Sequence, residues 1–275
     1  MRSVTLSLLA GLAALGRAAC PVGGDASVVA HDGTAKGTYE VHNNITMYIS
    51  HPPSCKPSTA AGAGDKTAIL YLTDVFGLKL PQNLLLADSF ARAGYLTVAP
   101  DLFNGEPAPG DINTPGFNTT LFLSLHGTNA TDPIIASTIS YLRTTLGVTR
   151  IGAAGYCFGG KYAFRFLEGN TNLTAQSETV DAAFTAHPSL LENEEIVAIQ
   201  GPVAIAAAEN DELLPLERKL EIEALLKGTG REYGVNLYSG TNHGFAVRAD
   251  VSDREQRFAK EGAFLQAVRW FGEFL

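Results

Sequence analysis

Arg150-Ile-Gly-Ala-Ala-Gly-Tyr-Cys157-Phe-Gly-Gly-Lys161 is the stretch whose reading decides the fold. An apolar run ends at Gly155, Cys157 stands at the centre of a G-x-C-x-G pattern, and a helix-compatible segment follows. A sharp strand-to-helix turn needs small residues on both sides of its apex. The apex backbone is strained and the neighbouring chains pass so close that a Cβ would clash. Such a nucleophile elbow presents one reactive side chain beside a helix N-terminus, and here that side chain is a thiol.

Working outward from the elbow, short apolar runs alternate with helix-length amphipathic stretches. Strands are expected at Thr67–Leu72, Tyr95–Ala99, Thr149–Ala154, Val180–Thr185, Val203–Ala208 and Glu232–Tyr238, with one or two more inside Lys36–Ser50. Helices are expected at Leu80–Ala93, Asp132–Leu146, Gly159–Leu167, Leu216–Leu226 and Arg254–Phe274, with Gly94 stopping the first and Pro133 near the start of the second. This alternation predicts an α/β fold, a mostly parallel sheet covered by helices on both faces. Residues 103–131, rich in Pro, Gly, Asn and Thr, read as a long irregular excursion, and His51–Asp65 as a surface loop.

A thiol attacks as its thiolate and needs a base or a helix N-terminus to become one. Two loops after predicted strands supply partners in the order nucleophile, acid, histidine. The first, Glu209-Asn-Asp211-Glu-Leu-Leu-Pro215, offers Asp211 as the acid, with Glu209 and Glu212 as competitors in the same loop. The second, Ser239-Gly-Thr-Asn-His243-Gly-Phe245, offers His243 as the base. Loops at the carboxyl ends of parallel strands are where such a sheet assembles its site. His187 closes a predicted strand before Pro188-Ser189, and that position makes it a candidate pocket residue. His31, His42, His51 and His126 are expected to be structural or solvent-facing.

The chain has 275 residues, 45% of them hydrophobic and 17% charged, which suits one globular domain and excludes a disordered or fibrous protein. Its net charge of −8 argues against nucleic acid or an anionic membrane as partner. At the N-terminus, Arg2 precedes an apolar run from Val4 to Leu15 that is too short to span a bilayer, and Gly16, Ala18 and Ala19 follow. This predicts a secretory signal over residues 1–19 and a single mature domain over 20–275. Four N-glycosylation sequons begin at Asn44, Asn118, Asn129 and Asn172, consistent with an extracellular destination. Of the three cysteines, Cys20 and Cys55 are expected to pair as a disulfide, leaving Cys157 free; the alternative leaves both unpaired. With no C-x-x-C, thiol redox chemistry lacks a resolving cysteine.

From about Gly37 to Leu275 the chain resembles the dienelactone hydrolase family of α/β-hydrolases. The resemblance is carried by Thr73-Asp-Val-Phe-Gly77, Ala99-Pro-Asp-Leu-Phe103, Gly155-Tyr-Cys-Phe-Gly-Gly160, Asn210-Asp211 and Asn242-His-Gly-Phe245. It implies the α/β-hydrolase fold and a Cys157–Asp211–His243 triad that cleaves esters or lactones through a thioester, with no cofactor and no metal. It also implies an oxyanion hole from the backbone N–H groups of Phe158 and Val75. Two positions depart from the bacterial pattern. Asp74 replaces a glutamate that helps set the charge state of the thiol, and Asn104-Gly105 replaces an arginine that holds a substrate carboxylate. Arg248 is then the remaining cation, and Asp74, Arg248 and His187 form the candidate substrate-binding set. Dienelactone itself is accordingly not the expected substrate, and the excursion and leader resemble secreted fungal members of the family. The expected protein is a carboxymethylenebutenolidase-type ester hydrolase, monomer or homodimer, acting on a small-molecule ester or lactone. A catalytically idle scaffold that binds a small ligand is the competing expectation.

Overall fold

A computed structural model describes residues 29–53, 66–168 and 178–275. The predicted leader, Cys20, Cys55 and Asn172 lie outside the described residues. Eight strands form one sheet: β1 (Thr38–His42), β2 (Ile45–Ser50), β3 (Thr67–Leu72), β4 (Leu96–Pro100), β5 (Arg150–Tyr156), β6 (Ala182–Ala186), β7 (Val203–Asn210) and β8 (Tyr233–Asn242). Their spatial order is β1-β2-β4-β3-β5-β6-β7-β8, with β1 and β2 antiparallel and the other six parallel. Between β1 and β2 only Asn43 and Asn44 intervene, at φ +50° and +62°, the left-handed pair that a tight hairpin turn demands.

Among the described residues the helices are α1 (Pro81–Ala93), α2 (Thr119–Leu125), α3 (Thr128–Ser140), α4 (Phe158–Arg165), α5 (Asn193–Val197), α6 (Leu216–Thr229), α7 (Phe245–Arg248) and α8 (Arg254–Phe274). Strand β3 shows why both faces must be covered. All six of its residues are buried, Ala68, Leu70 and Leu72 on one side and Ile69 and Tyr71 on the other. The first side shares a core cluster with Phe103, Phe122 and Phe158. The second meets α1 and α8 through Phe90, Phe264 and Phe271. A sheet buried on both faces reads in sequence as near-continuous apolar runs, as these strands do.

Three sequence expectations need correcting. The 103–131 excursion is not structureless: it holds all of α2 and the first turn of α3. The side-chain oxygen of Asn118 accepts the Leu121 N–H at 2.9 Å and starts α2. Helix α3 begins at Thr128, so Pro133 lies inside the helix, which gives way to a π-turn over Tyr141–Thr145. The first turn of α3 is held by the Ala130 and Thr131 N–H groups donating to Gly127 O at 3.0 Å. Strands β7 and β8 also run two and four residues further than expected, to the threshold of Asp211 and His243. Asn44, Asn118 and Asn129 are all exposed.

Candidate active site

Cys157 sits between β5 and α4 at φ +51°, ψ −113°, a conformation L-residues rarely adopt. The surroundings leave it no alternative. A Cβ on Gly159 would lie 2.2 Å from Leu72 O, and one on Gly155 would lie 2.4 Å from Gly159 O. Helix α4 therefore abuts the ends of β3 and β5, and only glycine allows the approach. The Cys157 N–H donates to Ala186 O at 3.1 Å and the Gly159 N–H to Thr73 O at 3.1 Å, so three strand ends clamp the turn. Among the described residues, the N–H groups of Phe158 and Val75 have no hydrogen-bond partner.

Helix α4 is pinned on its far side by Lys161, which is buried. Its Nζ donates to Glu192 at 2.7 Å and to Leu190 O at 3.1 Å, and lies 2.9 Å from the buried Glu195 carboxylate. Arg165 completes this network through Glu195 at 3.1 Å and a shorter contact to Asp132 of 2.5 Å. Charges buried this deeply are tolerated because they are paired.

Asp211 and His243 each follow directly on a strand end, β7 and β8, which lie side by side. Asp211 is buried, and its Oδ1 accepts the Leu213 and Leu214 N–H groups at 2.9 and 3.2 Å, fixing the carboxylate. The Nδ1 of His243 meets both of its oxygens, at 3.0 and 2.9 Å. Glu209, the competitor in that loop, accepts the Gly240 N–H instead. The Nε2 of His243 is buried and has no hydrogen-bond partner in this resting arrangement. Burial opposes a charge on this ring, but the Asp211 hydrogen bond and the neighbouring Cys157 sulfur outweigh it and raise the imidazole to about 9. His243 is therefore held as an imidazolium at neutral pH.

The candidate substrate-binding residues lie behind and beside this pair. Asp74 is sealed from solvent. Its Oδ1 accepts the Phe76 N–H at 3.1 Å and Asn83 Nδ2 at 2.8 Å, while Oδ2 lies 3.5 Å from Arg248 Nε. Burial pushes its carboxyl up, against the pull of Asn83 and Arg248. Arg248, a third exposed, lays its guanidinium 4.7 Å above the Phe76 ring and against Gly244, the residue after His243. His187 is fully buried, its ring centroid 4.9 Å from that of His243 in an edge-on arrangement. Burial, together with the positive His243 and Arg248, drives it well below the usual imidazole range, so it stays neutral. Asp74 and His187 thus lie against His243 and Arg248, not open solvent.

Two residues that sequence reasoning passed over matter here. Asn83 anchors Asp74, with its own Oδ1 accepting Tyr71 OH at 3.0 Å. Its signal was a polar side chain at a buried position of an apolar helix face. Ser189 Oγ lies 3.6 Å from Cys157 Sγ. Its only signal was its place two residues past His187.

Sheet order, strained elbow and the acid and histidine loops together define an α/β-hydrolase fold with a cysteine at its elbow. The thermophilic esterase 2 of Thermogutta terrifontis, solved with propionate bound, has the same fold, with a TM-score of 0.60 at 17% identity over 85% of this chain and 94% of that one. The model of the dienelactone hydrolase family matches residues 57–275, and the chain belongs to that family. Hydrolase pyvD of Aspergillus violaceofuscus is 40% identical over 256 residues, 93% of this chain and 96% of its own. Hydrolase tropI of Talaromyces stipitatus is 39% identical over 254 residues, 89% of this chain and 93% of its own.

Proposed function

We propose that this protein hydrolyses carboxylic esters or lactones of small molecules through a covalent thioester on Cys157. One observation carries the reading: an imidazole held through Nδ1 by both Asp211 oxygens, with Nε2 unpaired beside a strained cysteine at a helix N-terminus. Cys157 enters as a thiolate whose proton already sits on the His243 imidazolium, and the sulfur attacks the ester carbonyl. The unpaired N–H groups of Phe158 and Val75 take up the charge that develops on the carbonyl oxygen. Each such donor is worth about 2.7–4 kcal/mol of barrier where it has been removed in other enzymes. As the C–O bond breaks, His243 returns its proton to the leaving alkoxide. A water molecule then gives a proton to His243 and attacks the thioester carbon; the acid leaves and the thiolate is restored. Arg248, stacked at the edge of the site, is the cation available to orient an anionic or polar substrate group.

Brief mixing with an activated aryl ester is expected to give a burst of phenolate and a protein one acyl group heavier, with the added mass on the peptide containing Cys157. Steady turnover with no adduct on that peptide, or no reaction at all, would sink the mechanism; the latter favours the idle scaffold. We also infer passage through the secretory pathway, supported by the exposure of Asn44, Asn118 and Asn129. Material from a eukaryotic host should lose mass on glycosidase treatment. An unchanged mass counts against that route.

A further inference from the structure

Three strained residues stand in the elbow and in the segment bound to it. Six non-glycine residues in the described chain have positive φ. Three are asparagines, which tolerate it; the others are Cys157 (+51°), His187 (+39°) and Leu190 (+60°). Strain of this kind persists only where the surroundings impose it, and it clusters at functional sites. Residues 187–190, which continue from β6, are bound to the elbow at several points. The Cys157 N–H donates to Ala186 O at 3.1 Å, the Ser189 N–H donates to Cys157 O at 3.2 Å, and Lys161 Nζ donates to Leu190 O at 3.1 Å. Pro188 closes on the same turn, so that a Cβ on Gly160 would lie 2.8 Å from its ring.

This bracing sets Ser189 Oγ 3.6 Å from Cys157 Sγ, in a position only 5% exposed. Among the described residues that hydroxyl has no other partner. A thiol can donate to a serine oxygen, but a thiolate cannot. Once the proton has moved to His243, the hydrogen bond survives only with serine as donor, and a donor to a charged acceptor forms the stronger kind. We propose that Ser189 is a positioning residue that donates its hydroxyl to the ionised sulfur of Cys157, holding it between His243 and the elbow N–H groups. The proposal rests on the thiol mechanism above. It gives the segment after β6 a task beyond packing and explains why its strain is retained.

Other charged or titratable groups are grouped around His243 and the elbow. His243, with Asp211 behind it, follows β8; Asp74 and Arg248 approach from the end of β3 and from α7; neutral His187 follows β6. Lys161 on α4 is engaged with Glu192 and Glu195. Replacing Ser189 alters none of these, so a change in thiolate behaviour reads the hydroxyl itself.

The test follows the thiolate of the full chain, by its ultraviolet absorbance and by its alkylation with iodoacetamide across pH. Ser189→Ala is expected to slow alkylation at pH 7 about ten- to a hundredfold, the loss of one hydrogen bond to a charged group, and to move the appearance of thiolate to higher pH. Ser189→Thr and Ser189→Val have nearly the same shape and differ in the hydroxyl. Threonine should restore the wild-type profile and valine should not, which keeps the test decisive if alanine loosens the segment. Melting temperatures confirm that each variant is folded. Wild-type profiles in the alanine and valine variants, or equal impairment of threonine and valine, would overturn the proposal. Alkylation needs no ester, so the two readings fail separately: a fully alkylated protein that still hydrolyses esters refutes the thiol mechanism.

Discussion

Replacing Cys157 with alanine is expected to lower kcat/KM for a small aryl ester by about ten-thousandfold or more, and replacing it with serine by about a hundredfold or more. The alanine loss is the removal of the nucleophile. The serine loss is the informative one, because in many α/β-hydrolases serine is the working residue. Here His243 is raised to about 9, partly by its hydrogen bond to Asp211 and partly by the sulfur itself. An imidazole that already carries its proton is not free to take one from a hydroxyl, which holds its own far more tightly than a thiol does. Serine also places a smaller atom at a φ of +51° set by the clamped turn, so its oxygen falls short of the sulfur's position. Both variants should fold, since Cys157 is a small buried group and its truncation leaves little cavity. A glycine at this position should be inactive and yet about 1 kcal/mol more stable than alanine, because it alone accepts the backbone without strain. Steady-state rates with urea unfolding curves on the series check this. A serine variant as fast as wild type would mean that the site is not built around a sulfur–imidazolium pair.

How much of this was legible beforehand follows from where the physics is local. The span of β3, Thr67–Leu72, and that of α8, Arg254–Phe274, coincide with expectation, because an apolar run between turn signals and a capped amphipathic repeat are short-range patterns. The elbow was legible for the same reason: its glycines stand within three residues of Cys157. The acid and histidine loops could be ranked only by order along the chain. Nothing in the sequence at Asp211 says that β7 and β8 lie side by side, yet that adjacency puts carboxylate and imidazole 2.9 Å apart. In the 103–131 stretch, composition misled. Asn118 stands within a run of turn-forming residues but caps α2, and Phe122 behind it closes a ring stack with Phe103 and Phe158. Pro133 suggested a helix start because proline suits a first turn. The true start, five residues earlier at Thr128, follows Gly127, a cap with no side chain to announce it. The polar residues behind the site were least visible. Asn83 and Ser189 belong to no motif, and their roles exist only once α1 and the end of β6 are folded against the elbow.

The raised imidazole has two consequences with opposite experimental faces, and together they test the charge arrangement from which the chemistry is built. The ionisation of His243 moves up from 6.5 to about 9 on folding. A group stabilised in its protonated form contributes stability fully below pH 6.5, and that contribution is lost as pH rises through about 9. Urea midpoints of the wild type should therefore decline between neutral pH and pH 10, and the decline should be smaller in His243→Ala. On the catalytic side, the proton on Nε2 is what the leaving alkoxide receives. With an alkyl ester, whose alkoxide cannot depart unprotonated, kcat/KM should fall on an alkaline limb near 9. With a nitrophenyl ester, whose phenolate needs no proton, acylation should persist well above that limb. Asp211→Asn removes the carboxylate that helps to hold the charge. The alkyl-ester limb should then move down toward the ordinary imidazole range, and activity should fall about a hundred- to ten-thousandfold. Identical limbs for the two leaving groups would show that His243 does not protonate the departing oxygen. An unmoved limb in Asp211→Asn would show that the carboxylate, for all its two-oxygen contact with Nδ1, does not govern the imidazole.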